Sequence, residues 1–167
     1  MTTLSIRAAT PADAAAIVRL VRELAAYEHM LDRVRLTEAD VLAHGFGARP
    51  WFECVLAERD GEVAGLALFT HSYSTFEGAP GLFVEDLYVT EAARGQGVGR
   101  RLLAHLAAVA LERGCACLDL VVLDWNPARA FYHRLGFGES EGWLPYRLRG
   151  SDLHRLAGED RTVGDIR

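Results

Sequence analysis

The sequence predicts an α/β fold, and three observations carry that reading. Residues 82–89 form a near-continuous apolar run that breaks into Arg94-Gly95-Gln96-Gly97-Val98-Gly99-Arg100 and resumes with helical periodicity from about Val98 to Arg113. From Trp51 the hydrophobic period is two, and Asp60-Gly61 is a hairpin-turn pair between the strand-like stretches 52–58 and 63–73. Ile17, Leu20, Val21 and Leu24 recur at helical spacing. At 167 residues the chain fits one domain and can bury a sizeable core.

Taken in order, Leu4 to Ala8 alternates and is bounded by Thr10-Pro11, which reads as a first strand. Thr10 caps the helix that follows, with Pro11 at its first position and Asp13 in its first turn, and the helix reaches about Tyr27. Val34 to Leu36 is a connector, and Thr37-Glu38-Ala39-Asp40 starts a short helix ending at Gly45. The two strands from Phe52 come next, and Thr75 to Pro80 loops into the strand holding Glu85 and Asp86. Gly114 ends the helix behind the glycine run, and Cys115 to Leu123 is another apolar strand. Pro127 opens a helix carrying Ala128, Ala130, Phe131 and Leu135, ended by Gly136. Phe137 and Leu144 to Leu148 are expected to complete the sheet, and Asp152 to Ala157 to add a closing turn. With no repeat or linker, one domain is expected over residues 1–157, followed by a polar tail over 158–167.

The stretch from Phe83 to Ala104 organises the rest. A strand covered on both faces does not carry Glu85 and Asp86 without a reason, because burying charge is costly. The helix start after it leaves backbone N–H groups unpaired at the positive end of the macrodipole, and glycines at 95, 97 and 99 let a ligand approach the backbone. Strand, glycine loop and helix together read as an anion cradle. The run lacks the Gly-Lys-Ser/Thr ending of a P-loop, and its Gly-x-Gly-x-Gly spacing is not that of a dinucleotide fold.

Composition narrows the partners. A net charge of −5 argues against a general nucleic-acid binder and weakly suits a cationic acceptor. No apolar run approaches the length of a membrane helix and the first residues hold no signal-peptide core, so a cytoplasmic location is expected. Cys54, Cys115 and Cys117 form no Cys-x-x-Cys pair, and the six histidines show no metal-ligand spacing, so buried thiols and no metal site are expected.

Arg94-x-x-Gly97-x-Gly99 resembles the pyrophosphate loop of the GNAT family of N-acetyltransferases. Phe131-Tyr132-His133-Arg134-Leu135-Gly136-Phe137 resembles the second signature of that family, in the right order. Further runs, among them Glu23 to Glu28, Leu36 to Asp40, Val84-Glu85-Asp86, Leu123-Asp124-Trp125-Asn126 and Glu141-Gly142-Trp143, look like its diamine branch, which holds the spermidine/spermine and thialysine enzymes. The resemblance covers about residues 4 to 157, and the Leu-Asp-Trp-Asn run and the Arg-Gly-Gln-Gly loop favour the thialysine type. It implies a mixed, mostly antiparallel twisted sheet flanked by about four helices, acetyl-CoA as cofactor, and a homodimer. There are two departures. Tyr73-Ser74-Thr75-Phe76 replaces the Tyr-Asp-Pro-Trp of the polyamine enzymes, which argues against long polyamines, and Asn126 lies six residues before Tyr132 where the family usually has seven.

The resemblance also implies roles. Acetyl transfer needs a neutral amine, and a free alkylammonium has a pKa of about 10.4, so a base must help. Glu85 is the expected base, through water, and Tyr132 the acid that protonates the departing thiolate. Leu87, Tyr88 and Val89 would pair with the pantetheine arm as though it were a strand. Gly95, Gln96, Gly97, Val98, Gly99 and Arg100 would hold the pyrophosphate, with charge from Arg94, Arg100 or Arg101, and Asn126 and Arg129 complete the cofactor set. Tyr27, Glu28, Glu85, Glu141, Val121 and Trp143 match the amine site. Asp86, expected on the opposite face from Glu85, either takes the acceptor's second ammonium or pairs with an arginine. The implied activity is acetylation of a primary amine on a small diamine, polyamine or thialysine-like amino acid, by direct attack in a ternary complex. Acetylation of a protein amine, and a non-catalytic acyl-CoA-binding module, are the alternatives.

Overall fold

Alternating apolar residues build a five-stranded sheet in which β1 (Leu4–Ala8), β2 (Glu53–Arg59), β3 (Glu62–Ser74) and β4 (Ala79–Val89) pair antiparallel in chain order. β5 (Cys117–Leu120) then adds to β4 in parallel. The computed structural model describes residues 3–163, in two compact units, one ending at Pro127 and the other beginning at Ala128. The first unit also holds helices α1 (Ala14–Tyr27), α2 (Glu38–Gly45) and α3 (Val98–Glu112). The β2–β3 turn is as expected: Asp60 and Gly61 have φ of 52° and 86°, the positive pair that a tight hairpin demands.

The helix starts follow from capping. The Asp13 carboxylate reaches back to the Thr10 amide at 2.7 Å and hydroxyl at 2.9 Å, and a short 3-10 turn, Pro11–Asp13, leads into α1. Asp13 also takes both arms of the Arg7 guanidinium at 2.8 Å, while Arg7 Nε donates to Glu58, so one ion cluster ties β1, β2 and the start of α1. The Thr37–Asp40 box does the same for α2: the Asp40 amide donates to the Thr37 hydroxyl at 3.2 Å, and the Thr37 amide to the Asp40 carboxylate at 2.9 Å.

Two apolar layers enclose the sheet. Ile17 and Leu20 of α1 pack with Val41 of α2 on Cys54, Leu56, Leu66, Leu68 and Tyr88. On the other face lie Val55, Ala57, Ala67, Phe69 and Val84, with Leu102 and Leu106 of α3 fully buried. Gly65 allows this approach: a Cβ there would sit 3.4 Å from a Leu102 methyl and 2.7 Å from the Tyr88 carbonyl. Arg113, capping α3, spans from the Phe69 ring to a two-armed ion pair with Glu53.

The second unit departs from expectation. Its helices are α4 (Ala128–Arg134) and α5 (Ser151–Val163), and among the described residues no strand follows β5. The stretch expected as closing strands is irregular. Pro145 removes a ladder donor in its middle, and Leu144 and Tyr146 are 76% and 91% exposed, so the alternation is present but nothing within this unit pairs with it. The expected closing turn and the start of the expected tail are instead α5, held by Asp152–Arg155 and Arg155–Glu159 ion pairs one turn apart. The described residues thus hold five α-helices where about four were expected, and the tail beyond Val163 lies outside the described residues. β5 is also shorter than the 115–123 stretch, because β4 supports it only from Gly81 to Val84.

Candidate active site

The site begins at an irregularity in β4. Leu68 pairs with Asp86 and Phe69 with Val84, which leaves Glu85 as an extra residue in β4. The bulge breaks strand alternation. Val84 shares the Phe69 face under α3, whereas Asp86, two residues on, shares the Leu68 and Tyr88 face under α1. Simple alternation therefore does not hold through this stretch, since the bulge at Glu85 sets Val84 and Asp86 on opposite faces. Glu85 is exposed at the bulge, and its charge acts on Asp86.

The same residue marks where the sheet opens. β5 pairs with β4 as far as Val84, while β4 continues to Val89 with β3 on one side. Among the described residues no strand joins the other edge of Leu87, Tyr88 and Val89, which leaves a slot for an extended ligand to pair with main-chain groups.

At the end of β4 a 3-10 turn, Glu91–Ala93, leads to the glycine run. Gly95 and Gly97 have φ of 73° and 80°, and a Cβ on either would meet nothing within 4 Å, so the loop presents bare backbone to open space. Gly97 is the N-cap of α3, and the first helical bond runs from the Arg101 amide to the Gly97 carbonyl at 3.0 Å. The amides of Val98, Gly99 and Arg100 precede that bond and have no carbonyl four residues back within the helix. Gly99 lies inside the first turn of α3, and Gln96 braces the loop by donating to the Ala92 carbonyl at 2.9 Å. These residues fit a diphosphate: amides at a helix start, open space at Gly95 and Gly97 before them, and Arg100 and Arg101 exposed beside them.

Across from β4, the end of α1 carries Tyr27 and Glu28. The helix closes with the Met30 amide on the Ala25 carbonyl at 2.8 Å and with His29 at φ 59°, a conformation usually left to glycine. Trp125 stacks on His29 at 5.8 Å and lies 6.4 Å from the Tyr27 ring. Burial pushes Glu28 above the ordinary glutamate range. Burial, then the charges of Glu85 and Glu28, push Asp86 up to about 6. Glu23, Ala26, Tyr27, Tyr88, Glu91 and Arg94 line an open depression of about 480 Å³. Sequence reading brought out Tyr27, Glu28, Asp86 and Arg94 but not Glu23, Glu91 or His29. Glu23 was legible, lying one helical turn before Tyr27 and so on its face. His29 gave no signal, because a positive φ at a histidine is set by the chain around it.

Asn126 is buried, and its amide donates to the Leu123 carbonyl at 2.9 Å. Val121 is exposed. In the second unit Tyr132 is half-buried between Phe131, at 5.2 Å, and Phe137, at 5.7 Å edge-on. Its carbonyl accepts from the Leu135 and Phe137 amides as Gly136, φ 96°, ends α4. Arg129 pairs with Glu139 at 2.6 Å, and Glu141 and Trp143 are exposed.

An α/β sheet split beside an acidic bulge, with a glycine loop opening a helix, fits a phosphate-bearing carrier laid along a strand edge. Residues 17–137 match the acetyltransferase (GNAT) family, and the chain belongs to that family. Acetyl transfer to an amine is its chemistry, and acetyl-CoA is the donor that family uses. The chain is 41% identical to the thialysine N-epsilon-acetyltransferase of Bos taurus over 171 residues, covering 95% of this chain and 100% of that one. It is 36% identical to the human spermidine/spermine N(1)-acetyltransferase-like protein 1, over 93% of this chain and 24% of that protein. Among solved structures, an integron cassette protein of V. cholerae superposes with a TM-score of 0.78 at 27% identity, over 92% of this chain and 97% of that one. Among the described residues no helix is long and apolar enough to cross a membrane.

Proposed function

We propose that this chain acetylates the primary amine of a small diamine or thialysine-like amino acid, by direct attack in a ternary complex in the cytoplasm. The observation that carries the reading is the split at Glu85, a bulge with two carboxylates from which an open strand edge runs to Val89, ahead of the glycine loop. Acetyl-CoA supplies the thioester. The Val98 to Arg100 amides would hold its diphosphate, and Leu87 to Val89 would align its arm, with Asn126 and Arg129 assisting. Glu85, exposed at the bulge, would take the ammonium proton through water, and Tyr132 would give its phenolic proton to the departing sulfur. Asp86 and Glu28 would hold a second cationic group of the acceptor, joined by Tyr27, Val121, Glu141 and Trp143. The exposed Trp143, Leu144 and Tyr146 support a homodimer in which a second copy covers them, and sedimentation would test that state.

The test is steady-state turnover of putrescine, spermidine, thialysine, lysine and a lysine-containing peptide with acetyl-CoA, in the wild type and two variants. Tyr132→Phe should lower kcat at least tenfold with little change in acetyl-CoA affinity, and Glu85→Gln should remove the rising limb of the pH profile. Turnover confined to peptide amines would overturn the small-amine reading. Unchanged kcat and pH profile would overturn the two roles.

A further inference from the structure

We propose that Arg94 is a positioning residue for the amine site and not a ligand of the diphosphate, although it opens the glycine run. The inference rests on the amine-acetylating reading above and assigns one of its residues. The Arg94 guanidinium is committed in three directions. Its Nε donates to the Val89 carbonyl at 3.1 Å, its Nη2 lies 3.4 Å from the Tyr88 hydroxyl, and its plane lies over the Tyr27 ring, 4.9 Å from the centroid. The Tyr88 ring centroid is 5.5 Å away.

These contacts join the three pieces that must be aligned for an amine to meet the donor. Val89 is the last residue of β4, the strand whose edge the donor's arm would follow, Tyr27 ends α1, and Arg94 starts the turn into the phosphate loop. A planar fork can meet a carbonyl, a hydroxyl and a ring face at once, and a lysine ammonium cannot. Turning Arg94 toward the start of α3 would break all three contacts, while Arg100 and Arg101 are already exposed there beside the free amides. Arg94 therefore fixes the Tyr27 ring against the end of β4, and Glu23 and Glu91 line the same depression and complete its charge.

The experiment compares Arg94→Met, Arg94→Lys, Tyr27→Leu, Tyr27→Phe and the Met/Leu double variant. It measures acetyl-CoA Kd by calorimetry, amine KM and kcat with the best amine of the panel, and thermal unfolding to set aside any variant that does not fold. Arg94→Met and Arg94→Lys should raise amine KM about tenfold while acetyl-CoA Kd stays within twofold. Tyr27→Phe, which keeps the ring, should raise amine KM less than Tyr27→Leu does, and in the Tyr27→Leu background Arg94→Met should add little further effect. A tenfold weaker acetyl-CoA Kd in Arg94→Met, restored in Arg94→Lys, would overturn the proposal and return Arg94 to the diphosphate. Multiplying effects of the two sites on KM would overturn it as well. A wild type that turns over no amine removes the reading beneath it and this inference with it, whereas wild-type turnover with a shifted Kd removes this inference alone.

Discussion

Asp86→Asn tests the electrostatics of the site directly. Burial first, then the charges of Glu85 and Glu28, raise the Asp86 carboxyl from the ordinary 3.8 to about 6. A carboxyl whose folded value lies above its unfolded one keeps its proton longer in the native state. Native stability therefore declines as pH climbs from about 4 to about 6 and stays at the lower level beyond that. At roughly 1.36 kcal/mol per pH unit, ionised Asp86 costs the fold about 3 kcal/mol at pH 8. Asparagine keeps the shape and cannot ionise. The variant should gain about 2–3 kcal/mol in urea unfolding at pH 8 and change by less than about 0.5 kcal/mol at pH 4. For a domain of this size the gain corresponds to roughly 5–10 °C in Tm. Amine KM should rise at the same time, because the charge that strains the fold is the one proposed to hold a cation. A stability gain that is equal at the two pH values, or a loss at pH 8, would refute the assignment of burial and like charge as the cause.

Three further outcomes are expected. Asp13→Asn breaks the ion cluster with Arg7 that holds the Asp13 carboxyl well below the usual carboxylate range. It should cost about 1.5–3 kcal/mol at pH 7, and the deficit should shrink as pH falls below about 4, read by unfolding across that range. Leu20→Ala empties a fully buried site between α1 and the sheet and should cost about 2–5 kcal/mol in the same assay, with the pH profile of turnover unchanged. Gly97→Ala forces a Cβ onto a residue at φ 80°, which should cost about 1–2 kcal/mol. It should also weaken acetyl-CoA measurably in calorimetry, because the added methyl would enter the open space beside Gly97 that is proposed for the diphosphate.

What was legible in the sequence is what short-range rules decide. β1 falls on Leu4–Ala8 as read, the β2–β3 turn on Asp60 and Gly61, and the Thr37 cap and the Gly114 stop where their chemistry sets them. The acetyltransferase family followed from motifs in which Gly95, Gly97 and Gly136 adopt the positive φ that their absent side chains allow. The second unit was less legible because its signals are long-range. Leu144, Tyr146 and Leu148 alternate like a strand, but a strand needs a partner, and alternation does not say whether one exists. α5 was hidden for the opposite reason: Leu153 and Leu156 are too few for an apolar stripe, and ion pairs one turn apart do the stabilising.

The bulge at Glu85 was invisible for a deeper reason, and it joins the separate features of the site. A period of two is counted along one strand, whereas a bulge is a mismatch between two, so no inspection of Leu82 to Val89 alone can find it. One extra residue accounts for three observations. It turns Asp86 onto the α1 face beside Glu28, it leaves Glu85 exposed and unmatched, and it coincides with the point where β4 parts from β5. Without it Asp86 would share the apolar Val84 and Phe69 face under α3. Placing two adjacent carboxylates at the mouth of the slot therefore depends on the register error itself. The face that Asp86 takes follows from the inserted residue, and the gap that the sheet leaves beyond Val84 begins at that same residue.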